Sequence, residues 1–270
     1  MAHPKTVFPL LQSVISISST GVRADTATTA AGATLAFDSS DSSYALDIAN
    51  PALGIANTVL HSTPSGVFQA NVTGGKHVSL EIADPATSNL SWTSFGFWDV
   101  AQTNGARTQA QFVTGYATPA GSLPTTGTAK YFGAVRGEVI LPQAGRENGV
   151  NYLALSGDAF LDADFASGTI NGALREMFAT DFDGNKVPWT WVGLTGTFSG
   201  QNMFSGTTKA VDFFTASTSL KSNATGTFAG AFFGPRGQEL GAVWTLSDGT
   251  GAAFGTIGAK DCSGCTPWDY

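Results

Sequence analysis

Charge is scarce in this 270-residue chain. Asp, Glu, Lys and Arg make up only 12% of it, about half the usual share. The balance is acidic, with 20 carboxylate residues against 13 basic ones. No basic stripe is available to follow a phosphate backbone, so nucleic acid is not an expected partner. No apolar run reaches the ~18 residues of a membrane-spanning helix. Helical windows are nearly absent, the best being Pro51 to Leu60 and Gly172 to Thr180, neither strongly periodic. Reactive constellations are missing as well. There is no Gly-x-Ser-x-Gly elbow, no phosphate-binding glycine loop ahead of a helix and no His-Glu-x-x-His. The expectation is a binding protein, not an enzyme.

What is present favours strands. Gly is abundant at 33 residues, and apolar residues reach 42%, too many for a disordered chain. Glycine with Thr, Ser and aromatics suits short strands and tight turns. Residues 1–127 read as one β-rich unit of irregular structure. Its strand candidates are Thr34 to Asp38, Tyr44 to Ala49, Val67 to Val72, His77 to Ile82, Ser91 to Val100 and Gln111 to Tyr116. Leu10 to Ile17 is partly apolar, but Pro4, Pro9 and the single Lys5 make a poor export signal, so we expect a true signal to have been removed ahead of Met1. The stretch Thr118 to Gly127, with two prolines and two glycines, reads as a connection.

From residue 128 the pattern sharpens. Eight segments can be counted, most of them alternating with period two: Thr128 to Leu141, Tyr152 to Leu161, Gly168 to Leu174, Trp189 to Phe198, Met203 to Lys209, Ala224 to Phe233, Glu239 to Leu246 and Gly251 to Gly258. Gly226, Phe228, Gly230 and Phe232 share one face, and such alternation of small and large side chains fills the tapering interior of a small barrel. The predicted fold is all-β. An eight-stranded antiparallel up-and-down barrel over residues 128–270, ending in a short tail, follows a β-rich domain over 1–127.

Two stretches carry a family resemblance. One runs Ser94-Phe95-Gly96-Phe97-Trp98, Phe112-Val113-Thr114-Gly115 and Thr118 through Ala129, then Tyr131 and Gly133. The other runs Gly230 through Pro235, Glu239-Leu240-Gly241, Phe254-Gly255 and Gly258-Ala259-Lys260. Together these resemble the barrels of the transferrin-binding protein B family, a fold shared with factor H-binding protein and with secreted haemophores of the hemophilin type. The resemblance covers roughly residues 90–260. It implies a ligand-binding handle ahead of the barrel, and a role in iron acquisition on the outer-membrane surface of a Gram-negative bacterium or after secretion. The partners it implies are haem or an iron-carrier protein, and an outer-membrane TonB-dependent receptor to which haem would be delivered. A monomer is expected. The matching motifs shape the barrel and bring no binding residue with them. The lipidated N-terminal cysteine of the family's surface members has no counterpart near this N-terminus.

The chain has only three histidines. His3 lies in the tail. His61, read as a loop residue, and His77, at a strand start, both fall in the handle, where the haemophores it resembles hold haem by histidine. Imidazole is the usual axial ligand of haem iron, and Val59, Leu60, Val67, Phe68 and Val78 are candidate walls. His61 and His77 are therefore the candidate haem and metal ligands, with two ordinary surface histidines as the competing reading. Cys262 and Cys265 favour a small terminal disulfide over free thiols. Asp162 with Asp164, and Asp181 with Asp183 and Asn185, are better explained as a solvated strand end and a turn than as acid–base or calcium groups. If the ligand is a protein, exposed loops at Gln143 to Asn151, Asp181 to Pro188 and Val211 to Ser222 are candidates to touch it. Another small nutrient remains a third option.

Overall fold

The computed structural model describes residues 6–18, 21–25, 27–83, 88–146, 149–198, 202–212 and 220–262. Its first half contains β1 (Thr6–Ser18), β2 (Gly21–Ala24), β3 (Thr28–Asp38), β4 (Ser43–Ile48), β5 (Thr58–Ser62), β6 (Phe68–Val72), β7 (Lys76–Ile82), β8 (Thr93–Ala101) and β9 (Arg107–Gly115). Each of β3 through β8 pairs with the next, and β1 pairs with both β3 and β9. That ring closes an eight-stranded antiparallel barrel, with β2 added as a short flap on the end of β1. The irregular structure expected for this half is thus regular and sealed. Leu10 to Ile17, weighed above as a leader, forms the strand that seals it. Leu10 lies in the barrel core, while Ile15 and Ile17 pack outward.

The second half contains β10 (Thr128–Pro142), β11 (Val150–Asp164), β12 (Thr169–Thr180), β13 (Lys186–Pro188), β14 (Trp191–Phe198), β15 (Met203–Asp212), β16 (Thr225–Phe233), β17 (Glu239–Ser247) and β18 (Ala252–Asp261). β10 pairs with β11 and β18, and β11 pairs with β12, so the main eight strands close a second antiparallel barrel, with β13 an extra strand on β12. The eight segments are these eight strands, with several bounds unchanged and the largest shift at the end of β12, which runs on from Leu174 to Thr180. Inward positions follow the period. Phe228 and Phe232 fill the interior beside Trp189, Trp244 and Phe204, all at most 1% exposed. Gly230 is required there, since a Cβ would sit 2.3 Å from the Phe204 ring.

The barrels pack side by side through their outer faces. Leu11, Val113 and Phe95 of the first meet Ala229, Ala231, Phe233 and Val243 of the second. β17 is buried along almost its whole length because Leu240, Ala242, Trp244 and Leu246 face its own barrel while Val243 and Glu239 face the neighbour. Glu239, 3% exposed, pins the junction. Its carboxylate accepts bonds from the Ser91, Trp92 and Thr93 amides at 2.6, 2.9 and 3.0 Å and from the Thr93 hydroxyl at 3.0 Å. A charged acceptor with four donors gains strong bonds that offset its desolvation.

The connection after β9 is docked. Thr118 donates its amide to Phe232 O (2.9 Å) and its hydroxyl to Gly234 O (2.8 Å), and Leu123 packs on the second core. The Phe233-Gly234-Pro235 motif turns the chain from β16 to β17, with Gly234 at φ 84°, where a side chain would be strained. The same turn takes part in the junction, since the Gly234 amide donates to Tyr116 O at 2.9 Å. Cys262, just past β18, is disulfide-bonded, while Cys265 lies outside the described residues.

Candidate ligand-binding surfaces

Both barrel interiors hold packed side chains, so the places able to receive a ligand lie on outer faces and ends. We describe three.

The first is the outer face of β5 to β9. Alternation along β5 and β7 sends Leu60, Val78 and Leu80 into the core and His61, His77, Ser79 and Glu81 to the outside. His61 is therefore a strand residue, not a loop residue. It pairs with Gln69 on β6, whereas His77 pairs with Asn71, and His77 Nδ1 lies 3.1 Å from Asn71 Oδ1. Two strand spacings and a two-residue offset along β6 separate the histidine backbones by roughly 12 Å. A hollow of about 430 Å³ beside His77 is walled by Gln69, Ser79, Glu81, Asp99 and Arg107. The expected apolar walls are divided, since Leu60 and Val78 are core residues on the opposite side of the sheet. The two imidazoles do not converge, and these polar walls do not fit a haem held between both. His3 lies outside the described residues. Among the described residues no three of His, Cys, Asp and Glu gather as a metal site.

The second place is a groove of about 550 Å³ between the barrels. One wall is Phe97, Arg107 and Gln109 from the outside of β8 and β9, and the other is Glu138 and Tyr152 from β10 and β11. Arg146 of the β10–β11 loop and Asp181 and Phe182 of the β12–β13 turn form the rim. Two of the three loops expected to be exposed thus border this groove, and most of the third (213–219) lies outside the described residues. Arg107 spans Asp99 with two bonds, Nε to Oδ1 at 3.1 Å and Nη2 to Oδ2 at 2.9 Å, which holds the guanidinium proton more firmly than usual. Burial pushes the Glu138 carboxyl up to about 7, against the pull of Arg107 and with the push of Asp99 and Glu81. Sequence reasoning missed Glu138 and Gln109. Each sits in an ordinary alternating strand, and only the packing of one barrel on the other brings them to one groove.

The acidic pairs have the bland roles expected. Asp164 Oδ1 accepts the amides of Ala166 and Ser167, and Asp181 Oδ1 those of Asp183 and Asn185. Both carboxyls are held below their ordinary range by these turn bonds, for Asp181 chiefly by the Asn185 side chain.

The third place is one end of the first barrel. Tyr116, 64% exposed, meets Phe8 and Trp92 edge-on at centroid distances of 6.2 and 6.4 Å. These rings surround a mostly apolar hollow of about 250 Å³ floored by Leu35, Tyr44 and Ile82. Sequence reasoning missed this cluster too, because its rings come from β1, the approach to β8 and the exit of β9.

A family model described as the C-lobe and N-lobe beta barrels of Tf-binding protein B matches residues 123–261, slightly more than half of the chain. The chain belongs to this family. Transferrin-binding protein B of Haemophilus influenzae strain 86-028NP is 29% identical over 168 residues, covering 59% of this chain and 25% of the relative. This chain thus spans about a quarter of the curated relatives it matches. Among solved structures, a double mutant of transferrin-binding protein B from Haemophilus parasuis Hp5 matches with a TM-score of 0.54 at 20% identity, over 93% of this chain and 45% of that one. The isotype 1 protein from serogroup B Neisseria meningitidis matches with a TM-score of 0.51 at 20% identity, over 93% and 43%. At such identities the likeness speaks for the fold, and it extends over the first barrel as well as the second.

Proposed function

We propose that this chain is a capture protein of iron acquisition, displayed on or released from a Gram-negative surface, whose ligand is an iron-carrier protein of the transferrin kind. Binding, not catalysis, is its activity, and an outer-membrane receptor takes the captured iron source onward. Membership of the family is the observation that carries this reading, since the relatives are named for binding transferrin. The aromatic end of the first barrel suits the task. Exposed Tyr and Trp side chains are the usual anchors of protein interfaces because they bury much area at little entropic cost. The test is surface plasmon resonance of the chain against iron-loaded and iron-free transferrins from several vertebrate hosts. Saturable binding that falls by roughly tenfold on Tyr116→Ala supports the reading. Absence of binding at micromolar concentration for every transferrin sinks it.

Capture of haem by a single imidazole is the second reading, favoured by the placement of His77 beside its open hollow. Addition of haem should then give a Soret shift that His77→Ala abolishes. A shift that survives replacement of both His61 and His77 would remove the histidines from the account.

A further inference from the structure

The groove between the barrels carries chemistry that capture of an iron carrier leaves unused. Two acceptor oxygens buried in its walls meet no hydrogen-bond donor: Oε1 of Gln109, a residue 4% exposed, and Oε2 of Glu138. They belong to different barrels and line the same space. Arg107 lines the same groove, yet no hydrogen bond joins its guanidinium to either oxygen, and its Nε and Nη2 are engaged by Asp99. An unmatched buried acceptor costs stability, a cost that a ligand donor would relieve. The space, about 550 Å³, falls within the usual range for small-molecule sites. Phe97 offers an aromatic wall, and Phe182, 82% exposed at the rim, offers a second ring.

We propose that this groove binds a small organic ammonium ligand, whose ammonium donates to Glu138 and Gln109 while its aromatic or aliphatic body lies against Phe97 and Phe182. An ammonium group carries three donors and no acceptor, which matches a floor of unmatched acceptors. Its charge complements the carboxylates of Glu138 and Asp181 that line the groove, against Arg146 at the rim and Arg107, which Asp99 already engages. The site lies apart from the aromatic end and shares only Arg107 with the hollow beside His77, so it stands or falls apart from the iron-carrier reading.

The test is calorimetric titration of the full chain at pH 8 with tyramine and with N-acetyltyramine, which keeps the ring and loses the ammonium. Tyramine should bind one to one, with the acetylated probe about tenfold weaker, the size of one charge-assisted bond. Glu138→Gln should weaken tyramine by a similar factor and leave the acetylated probe unchanged. Phe182→Ala, an exposed change that does not threaten folding, should weaken both probes by about threefold. No saturable binding of tyramine up to roughly 10 mM, equal affinity for the two probes, or full affinity in both Glu138→Gln and Phe182→Ala would overturn the proposal.

Discussion

The two barrels share a strand count and a closure, yet they are packed differently. The second has long strands, with 15 residues each in β10 and β11, and a core in which seven Trp and Phe side chains sit among the aliphatic ones. Its β16–β18 wall is buried on both faces. The first has strands of five to seven residues from β5 to β7, a largely aliphatic core around Trp98 and Phe112, and an outer β5–β9 face that is polar and open. The family model covers the second barrel and stops short of the first. A wall buried on both faces tolerates little change, because every side chain meets a neighbour on each side. An open polar face is free to vary. The second barrel is the more heavily packed of the two, and two of the three candidate surfaces lie wholly on the first.

The sharpest way to strain this contrast is Phe232→Ala. Phe232 touches the rings of Tyr131, Phe165, Phe198 and Phe204. Its loss should cost about 3–5 kcal/mol in urea unfolding, and a cost below about 1 kcal/mol would mean the second barrel is loosely packed. Next is Glu239→Ala, which strands three amides and a hydroxyl in a buried junction and should cost about 3 kcal/mol. Its signature is a single unfolding transition that splits in two. If the transition stays single and unshifted, the barrels are not coupled through Glu239.

The third concerns pH. Glu138 is held near 7 when folded, above its ordinary 4.5. The folded chain therefore binds this proton more tightly than the unfolded one. Its contribution to stability is fully present below about pH 4.5 and is lost as pH rises through about 7, at most about 3 kcal/mol over that window. Glu138→Gln should flatten this part of the profile and leave the chain more stable than wild type at pH 8. A profile that keeps its slope would assign the effect elsewhere. The smallest effect on the fold is expected of Tyr116→Ala, within about 0.5 kcal/mol by thermal unfolding, so that any loss of carrier binding in that variant reports on the surface alone.

The eight strands of the second barrel were legible because their inward residues alternate with polar or small ones, as in Tyr131, Val135 and Val139 on β10. β1 escaped because Leu10, Leu11, Gln12 and Ser13 are all buried, facing the barrel core on one side and the neighbouring barrel on the other. Gln12, polar yet buried, accepts the Trp98 indole proton at 3.1 Å. No period survives when both faces are covered and one buried residue is polar. His61 and His77 drew notice by their rarity, but their facing away from Leu60 and Val78 follows from strand register, which composition does not carry.

Strand periodicity, turn glycines and scarce charge were enough for this chain to declare an all-β fold with a closed barrel in its second half, because period-two burial is a local property. Whether the first half also closes, and what the barrels enclose between them, rested on contacts between residues far apart in the chain. Gln109 and Glu138 sit 29 positions apart on different barrels, and Glu239 is 148 positions from Ser91. Such meetings are decided when packed faces find each other, so only the tertiary structure could reveal the groove and the pin beside it.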